Sequence, residues 1–421
     1  MKRLPLVALA FSLGVVISLI VIPALTASRV ANLAVLAQST MPSKGQRPNI
    51  LLIVADDIGW SDLKAFGGDI IAPNLDKLAN QSLLFTNFHV YPSCSPTRSV
   101  FLTGVDPHRN GMGTMDVLLT PNQKGKPGYE TYLNDRVTTV AQILRDSGYH
   151  TYMSGKWHLG HDQQNWPYNR GFEQSFALLH GGATMWNGTF PIEAIKVMWA
   201  SNNQLVPYPN GKYSSDLYAD KIINMVAKNH VDNKPFFGYL SFQANHWPLG
   251  APANYLSANK GRYDMGWDKL REQRLDNQKK LGLITDSAEL SPRGAGVKPW
   301  NQLTAAEMSN ESKKMEVYAA DAQAMDYNIG KVLNYLKKIG EYNNTLIMFT
   351  SDNGAEAQQV ENLKGTPDIR SAFQKYISSL NTTEPNMGNW NSFVGYGPGW
   401  AQLSNTPFRG YKADLTEGGI R

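Results

Sequence analysis

The sequence NILLIVADD, residues 49–57, places a continuous apolar run directly before two adjacent carboxylates. Apolar runs of this length without polar alternation are typical of strands that are buried on both faces of a parallel sheet. A second such run, residues 345–350, leads into the sequence SDNG at residues 351–354. Short apolar runs alternate with helical stretches between these two segments. We therefore predict an α/β fold with a large, mainly parallel mixed sheet that carries helices on both faces.

The remaining elements follow from periodicity and from turn residues. Strands are predicted at residues 49–55, 83–90, 150–153, 235–242 and 345–350, and helices at residues 75–81, 137–147 and 308–339. Residues 355–421 are rich in Gly, Asn, Pro and Ser and are predicted to be irregular. Several polar side chains come just after predicted strands, and open α/β sheets bind their ligands at that edge.

Composition excludes several classes of protein. The chain has 421 residues, of which 42% are hydrophobic and 18% charged, a profile that excludes a disordered, collagenous or coiled-coil protein. It carries 40 Lys and Arg against 35 Asp and Glu, a formal net charge of +5. No stretch carries a dense basic run, so we expect no nucleic-acid partner.

The N-terminal 37 residues have the pattern of an export segment. Lys2 and Arg3 precede an uncharged apolar run at residues 4–25, and small residues follow. This order is typical of a signal peptide, but the run is also long enough to be an uncleaved membrane anchor. Both alternatives place the rest of the chain outside the cytoplasm, in the periplasm or outside the cell, and only an anchor brings it to a membrane. We assign residues 1–37 to this segment, 38–47 to a linker and 48–421 to the main domain.

The chain has one cysteine, Cys94, so it can form no intramolecular disulfide and has no Cys/His set at zinc spacing. A lone cysteine is commonly a buried structural thiol. Pro96, however, suits the first turn of a helix that begins at Cys94, and amide groups at a helix N-terminus favour an anion. Arg98 completes the spacing Cys-x-Pro-x-Arg.

Asp56 and Asp57, together with Asp352 and Asn353, are candidate metal ligands. Two ionised carboxylates at a strand end repel each other, and a bound cation would relieve that repulsion. The alternative to a metal site is an ordinary solvated loop end. In an extended strand they would point to opposite faces, so the chain must bend, and Gly59 allows a turn there. An all-oxygen set without His or Cys favours a hard dication, and many carboxylates favour calcium over magnesium.

A basic set accompanies these acids. It consists of Arg98, Lys156, His158, His246 and Lys412. A single exposed lysine is usually a solvated charge. Together with a dication, however, these groups leave an excess of positive charge that suits a monoanionic sulfate ester.

The motifs resemble the type I sulfatase family, in its bacterial arylsulfatase branch and within the alkaline-phosphatase-like superfamily. The resemblance covers residues 48–421 and is most specific at residues 94–104, 155–160, 351–354 and 417–421. It implies that Cys94 is oxidised to formylglycine (3-oxoalanine) by a maturation enzyme. The residues implied to bind one calcium ion are Asp56, Asp57, Asp352, Asn353 and the hydrated position 94. Those implied to hold the hydrate, bind sulfate oxygens or assist the leaving group are Arg98, Lys156, His158, His246 and Lys412.

The function implied by the resemblance is hydrolysis of small-molecule sulfate esters through a covalent sulfated-enzyme intermediate. Two alternatives stay open, a phosphonate or phosphate ester hydrolase on the same fold and an inactive protein that binds sulfated ligands. The family also has a smaller C-terminal sheet domain. A chain that ends at Arg421 is expected to lack it.

Overall fold

The computed structural model describes residues 47–189, 196–359 and 367–421. The predicted export segment and nearly all of the linker lie outside the described residues. None of the described helices combines the length and the hydropathy that crossing a membrane requires.

Seven strands in the described residues form one mixed sheet. Their bounds are β1 Asn49–Ala55, β2 His150–Lys156, β3 Gln174–Leu178, β4 Trp199–Ser201, β5 Gln204–Leu205, β6 Phe236–Ser241 and β7 Thr345–Ser351. They follow the order β5-β4-β3-β2-β6-β1-β7. The neighbouring strands β3, β2, β6, β1 and β7 pair in parallel. β4 pairs antiparallel with β3, and β5 pairs antiparallel with β4. The prediction of a mainly parallel mixed sheet is confirmed.

Helices cover both faces of this sheet. The α-helices in the described residues are α1 Pro73–Ala79, α2 Cys94–Thr103, α3 Pro107–Asn110, α4 Val140–Asp146, α5 Ser214–Asn229, α6 Ala253–Ala258, α7 Gly266–Lys280, α8 Ala305–Lys338, α9 Pro367–Ser378, α10 Gly397–Ser404 and α11 Glu417–Ile420. Leu51 and Ile53 of β1 pack in the hydrophobic cluster that includes α5 and α8. Val54 packs on the opposite face, with Leu102 of α2 and Ala141 of α4. Alternate residues of one strand thus support two separate cores.

Two predictions of local structure are wrong. Residues 83–90 form no strand, and Leu83 and Phe85 are 78% and 69% exposed. An apolar run forms a strand only where a neighbouring strand can accept its hydrogen bonds, and here the carbonyl of Thr86 accepts from the side chain of Arg421 instead. The stretch from residue 355 onward is not wholly irregular, because it includes α9, α10 and α11. Pro367 is the first residue of α9 and Pro398 the second residue of α10, positions that suit proline, whereas Pro was interpreted from the sequence as a loop residue.

His150, at the start of β2, lies between two carboxylates. Its Nδ1 is 2.8 Å from Glu173 Oε2 and its Nε2 is 2.7 Å from Asp232 Oδ2. Both ring nitrogens can donate only when the imidazole is protonated. Burial opposes protonation, but the hydrogen bonds to Glu173 and Asp232 raise the pKa of His150 above its ordinary value. Lys234 Nζ, 3.8 Å from Asp232 Oδ2, competes with His150 for that carboxylate.

We expect His150→Gln to remove part of the pH dependence of stability. A raised histidine pKa contributes stability that is fully present below the unfolded pKa and is lost as pH rises through the folded pKa. Wild type should therefore lose about 2 °C in Tm relative to the variant between pH 6 and pH 8.5. Thermal unfolding of both proteins across that range measures the difference. Parallel Tm profiles for the two proteins would show that the two contacts do not stabilise the imidazolium.

Candidate active site

Parallel pairing brings the polar ends of four strands to one edge of the sheet. Asp56 follows β1, Lys156 ends β2, Ser241 ends β6 and Asp352 follows β7. All four side chains are fully buried. The carboxyl ends of neighbouring parallel strands lie side by side, so residues far apart in the sequence meet here.

The chain bends at Asp57, as joint ligation by two adjacent carboxylates requires. Asp57 has a φ of 62°, in the left-handed region, and Tyr318 of α8 donates to its carbonyl at 3.1 Å. Gly59 does not make this bend. It is required for close packing instead, because a Cβ there would lie 2.5 Å from the Ser404 carbonyl oxygen. As a result, one oxygen from each of Asp56, Asp57 and Asp352 lies within 4.8 Å of the others.

Each of these three carboxylates uses one oxygen to bind a basic side chain. Lys156 Nζ donates to Asp56 Oδ2 at 2.5 Å, and Lys412 Nζ donates to Asp57 Oδ1 at 2.7 Å. Arg98 forms an ion pair with Asp352 Oδ2, with Nη2 at 2.6 Å. For Asp56 and Asp57 these pairings leave one oxygen atom of each carboxylate without a hydrogen-bond donor in the described part of the chain.

The leftover oxygens form a cradle for a cation. Asp56 Oδ1, Asp57 Oδ2 and Asn353 Oδ1 are buried and have no hydrogen-bond partner among the described residues. Asn353 Nδ2 donates to Asp57 Oδ1 at 2.6 Å, which fixes the orientation of its amide. Buried acceptors without donors are costly, and oxygen atoms are the ligands that hard dications prefer. The residues present therefore fit a calcium-type ion.

The ionisation of the acids agrees with this interpretation. Burial and the neighbouring charge of Asp352 raise the pKa of Asp56 well above its ordinary value. Burial also acts on Asp57, but the ammonium of Lys412 outweighs it and lowers the pKa of Asp57 to about 2. A bound dication would relieve the repulsion between these acids.

Cys94 lies at the first residue of α2, as predicted, with Pro96 in the first turn. Its Sγ is 3.3 Å from His158 Nδ1. Burial opposes ionisation, but Lys156 and His158 lower the pKa of Cys94 to about 6. Among the described residues, the group of ligand atoms within 4.8 Å of one another comes from Asp56, Asp57 and Asp352 and does not include Cys94 Sγ. Contact between position 94 and a cation therefore stays a prediction for the modified residue.

His246 and Lys412 lie on the Asp57 side of the site. His246 Nε2 is 4.0 Å from Asp57 Oδ2, and its Nδ1 is 2.5 Å from the Trp247 carbonyl. Burial and the charge of Lys412 lower the pKa of His246 well below its ordinary value. Burial opposes protonation of Lys412, but Asp57 raises its pKa well above the usual range.

All the predicted site residues therefore converge, and two further residues join them. Ser241 Oγ accepts from Arg98 Nη1 and donates to the Lys156 carbonyl at 2.8 Å. Asp116 Oδ1 is 3.7 Å from His158 Nε2. Ser241 could have been found from its place at a strand end. Asp116 has no such signal, because it lies in a short 3-10 helix outside the sheet.

The sulfatase family model matches residues 48–421, almost the whole described chain. The chain belongs to the sulfatase family. An uncharacterized sulfatase from Schizosaccharomyces pombe is 44% identical over 396 residues, which cover 90% of this chain and 70% of the relative. The arylsulfatase of Klebsiella aerogenes is 37% identical over 390 residues, which cover 92% of this chain and 82% of the relative. By family, this sulfatase domain is a hydrolase.

The solved structures agree on the fold. The crystal structure of Ps i-CgsB in complex with k-i-k-neocarrahexaose superposes with a TM-score of 0.59 at 23% sequence identity. The match covers 89% of this chain and 64% of that protein. The sulfatase domain described here thus spans less than two thirds of that solved structure. The predicted sulfatase-type α/β fold is confirmed.

Proposed function

We propose that the protein is a sulfuric ester hydrolase that cleaves aryl or related sulfate monoesters. One observation carries the proposal: Cys94 is buried at a helix N-terminus beside His158, and three basic side chains near it each hold one carboxylate of a candidate metal cradle. The similarity to the Klebsiella aerogenes arylsulfatase supports the same reaction class.

In this proposal Cys94 is modified to formylglycine by a maturation enzyme, and the hydrated aldehyde is the nucleophile. Asp56, Asp57, Asp352 and Asn353 would hold one calcium ion. When bound, that ion supplies Lewis acidity, which lowers the pKa of a neighbouring hydroxyl and neutralises charge on a sulfate ester. Arg98 is fully buried and paired with Asp352, and in this proposal it would hold the hydrate at position 94 in place.

The first half of the reaction transfers the sulfuryl group to position 94. Asp352 accepts the proton of one hydroxyl of the hydrate, the oxygen of that hydroxyl bonds to sulfur, and the ester S–O bond breaks. Lys156 and Lys412 stabilise the negative charge on the transferring sulfuryl oxygens. The departing oxygen takes its proton from the ammonium of Lys412, and the alcohol or phenol leaves. His246, whose pKa is lowered by burial and whose Nδ1 lies against the Trp247 carbonyl, is neutral and would assist by binding the leaving group.

The second half releases sulfate. His158 Nδ1 faces position 94 and takes the proton of the second hydroxyl. The carbonyl forms again as the bond between carbon and the sulfate oxygen breaks, and one water then restores the hydrate. An unmodified thiol lacks the second hydroxyl, so it could accept one sulfuryl group but could not release it.

Initial rates on three nitrophenyl esters test the reaction class. We expect kcat/KM on 4-nitrophenyl sulfate to exceed that on the matching phosphate and phenylphosphonate esters. A preference for either phosphorus ester would favour the alternative hydrolase. Saturable binding of the sulfate ester without release of nitrophenol would favour an inactive binding protein.

Removal of the metal gives a separate prediction. A chelator should abolish activity and lower Tm, because the unpaired oxygens of Asp56 and Asp57 are then buried without a metal ion. At a concentration 100 times the Kd, a bound ion stabilises the fold by about 2.7 kcal/mol. Differential scanning calorimetry after dialysis against EGTA, and again after addition of Ca²⁺ or Mg²⁺, measures both the loss and the preference. A Tm that is insensitive to EGTA and to both ions would contradict a metal at these acids.

We also propose that the domain acts outside the cytoplasm, in the periplasm or outside the cell. The support is the pattern of residues 1–37 in the sequence. Fractionation of cells that express the full chain, followed by N-terminal sequencing of the recovered protein, would separate a cleaved signal from a retained anchor. Recovery of the chain in the cytoplasm with its first residues intact would contradict export.

A further inference from the structure

We propose that Asp116 is a positioning residue that orients His158 for the release of sulfate. The inference rests on the proposed function, since it assigns a role to a neighbour of a group that acts on position 94. Asp116 itself does not contact Cys94 in any hydrogen bond or ion pair of the described residues.

The geometry is a line of three groups. The Cys94 side chain contacts Nδ1 of His158 at 3.3 Å, and the opposite ring nitrogen, Nε2, lies 3.7 Å from Asp116 Oδ1. A separation of 3.7 Å is longer than a hydrogen bond, so the contact is electrostatic. A carboxylate beyond the far nitrogen of a histidine that faces a nucleophile is an arrangement that fixes the ring and its proton.

The backbone and a glycine hold the same ring from other directions. His158 has a φ of 55°, an unfavourable region for a residue with a side chain, and this conformation turns the imidazole toward position 94. Gly181 lies against the ring, because a Cβ there would be 2.6 Å from His158 Cε1 and 2.9 Å from Nε2. The ring is therefore confined by Gly181 and by its contact with Cys94, and Asp116 lies beyond its far nitrogen.

A second histidine lies near the other oxygen of Asp116. Its Oδ2 is 3.7 Å from His161 Nδ1, and the His161 ring stacks on His180 with centroids 4.1 Å apart. His180 Nδ1 accepts from the backbone N–H of Met198 at 3.2 Å, which fixes the position of that ring. The carboxylate thus lies between two imidazoles, those of His158 and His161.

The consequence concerns which nitrogen carries the ring proton. A carboxylate at Nε2 favours the tautomer with its proton on Nε2, and Nδ1 then faces position 94 as an acceptor. An acceptor at that place is what the second half of the reaction requires. The first half does not depend on it, because there the proton passes to Asp352. Loss of Asp116 should therefore slow sulfate release and leave sulfuryl transfer unchanged.

Pre-steady-state kinetics on 4-nitrophenyl sulfate separate the two halves. For Asp116→Ala we expect kcat to fall about tenfold, the usual effect of removing a partner that orients a site histidine. KM should fall by the same factor, kcat/KM should stay unchanged, and a burst of one nitrophenol per active site should precede the slow phase. Asp116→Asn keeps an acceptor for Nε2–H and should restore kcat to within about threefold of wild type. Gly181→Ala, which displaces the ring without touching Asp116, should also give a burst.

Asp232→Ala is the matched control, because it removes a carboxylate from His150 at the opposite end of β2. All its kinetic constants should equal those of wild type. Wild type without turnover on sulfate esters would overturn the proposed function itself. If wild type turns over sulfate esters, two results for Asp116→Ala would overturn the role of Asp116 alone. One is kinetic constants equal to those of wild type, and the other is a lower kcat/KM without a burst. An Asp116→Asn variant as slow as Asp116→Ala would overturn it too.

Discussion

Replacement of Cys94 by alanine is expected to lower kcat on 4-nitrophenyl sulfate by at least about 10⁴-fold, as removal of a nucleophile does in other hydrolases. Cys94 is buried at the first residue of α2, and its side chain contacts His158 and Met115. Alanine is smaller than cysteine and favours a helix, so it adds no clash and should leave the fold intact. Steady-state rates and thermal unfolding of the same samples measure the two effects separately.

Ser93→Ala is the matched control for this variant. Ser93 precedes α2, and its side chain makes no capping hydrogen bond to the helix. Its removal should leave kcat within about threefold of wild type, since no role in bond making is assigned to it. Retained activity in Cys94→Ala would mean that another group is the nucleophile, and the proposed mechanism would be wrong.

Replacement of Asp56 by asparagine is the second change with a large expected effect. Asp56 Oδ2 accepts from Lys156 at 2.5 Å, and its Oδ1 is one of the oxygens left without a partner. The variant removes a negative charge from the cradle and leaves a buried ammonium without its counter-ion. We expect the bound metal to fall below one ion per chain and kcat/KM to fall at least about 10³-fold, because the sulfuryl oxygens lose their charge stabilisation.

Metal analysis of the purified variant, together with rates at increasing calcium concentration, measures this loss. Asp326→Asn is the control, since Asp326 is also a buried aspartate but accepts from Asn74 and the backbone of Leu75, away from the site. It should lower Tm without changing the metal content. A full complement of metal and normal rates in Asp56→Asn would contradict the assignment of this carboxylate as a ligand.

Much of the fold was predictable because the central strands are continuous apolar runs buried on both faces, and the partly exposed edge strand β7 has the same apolar pattern. The apolar run before Asp56 predicted β1 with its observed bounds, and the run before Asp352 predicted β7 to within one residue. Residues 83–90 have a similar composition but no adjacent strand, and composition alone does not reveal which strands are neighbours. Pairing is a property of the tertiary structure, and so the prediction of a strand there was wrong.

The candidate site was predictable as a set of residues but not as a set of contacts. Parallel strands guarantee that the residues after their carboxyl ends meet, which is why the acids and Lys156 could be grouped from the sequence. The sequence does not show which oxygen of Asp57 pairs with Lys412. Nor does it show that the bend occurs at Asp57 rather than at Gly59, because this depends on the packing of Tyr318 and Ser404. Asp116 was not found because it precedes no strand end and belongs to no motif.

The central claim is that the side chain at position 94 is an aldehyde in the mature protein. Trypsin should release residues 78–98 as one peptide, since cleavage sites follow Lys77 and Arg98. Mass spectrometry of this peptide, from protein purified after export from its own host, is expected to show a side chain that has lost hydrogen sulfide and gained one oxygen atom, and that reacts with a hydrazide. An intact thiol at position 94 in protein that turns over sulfate esters would contradict the account.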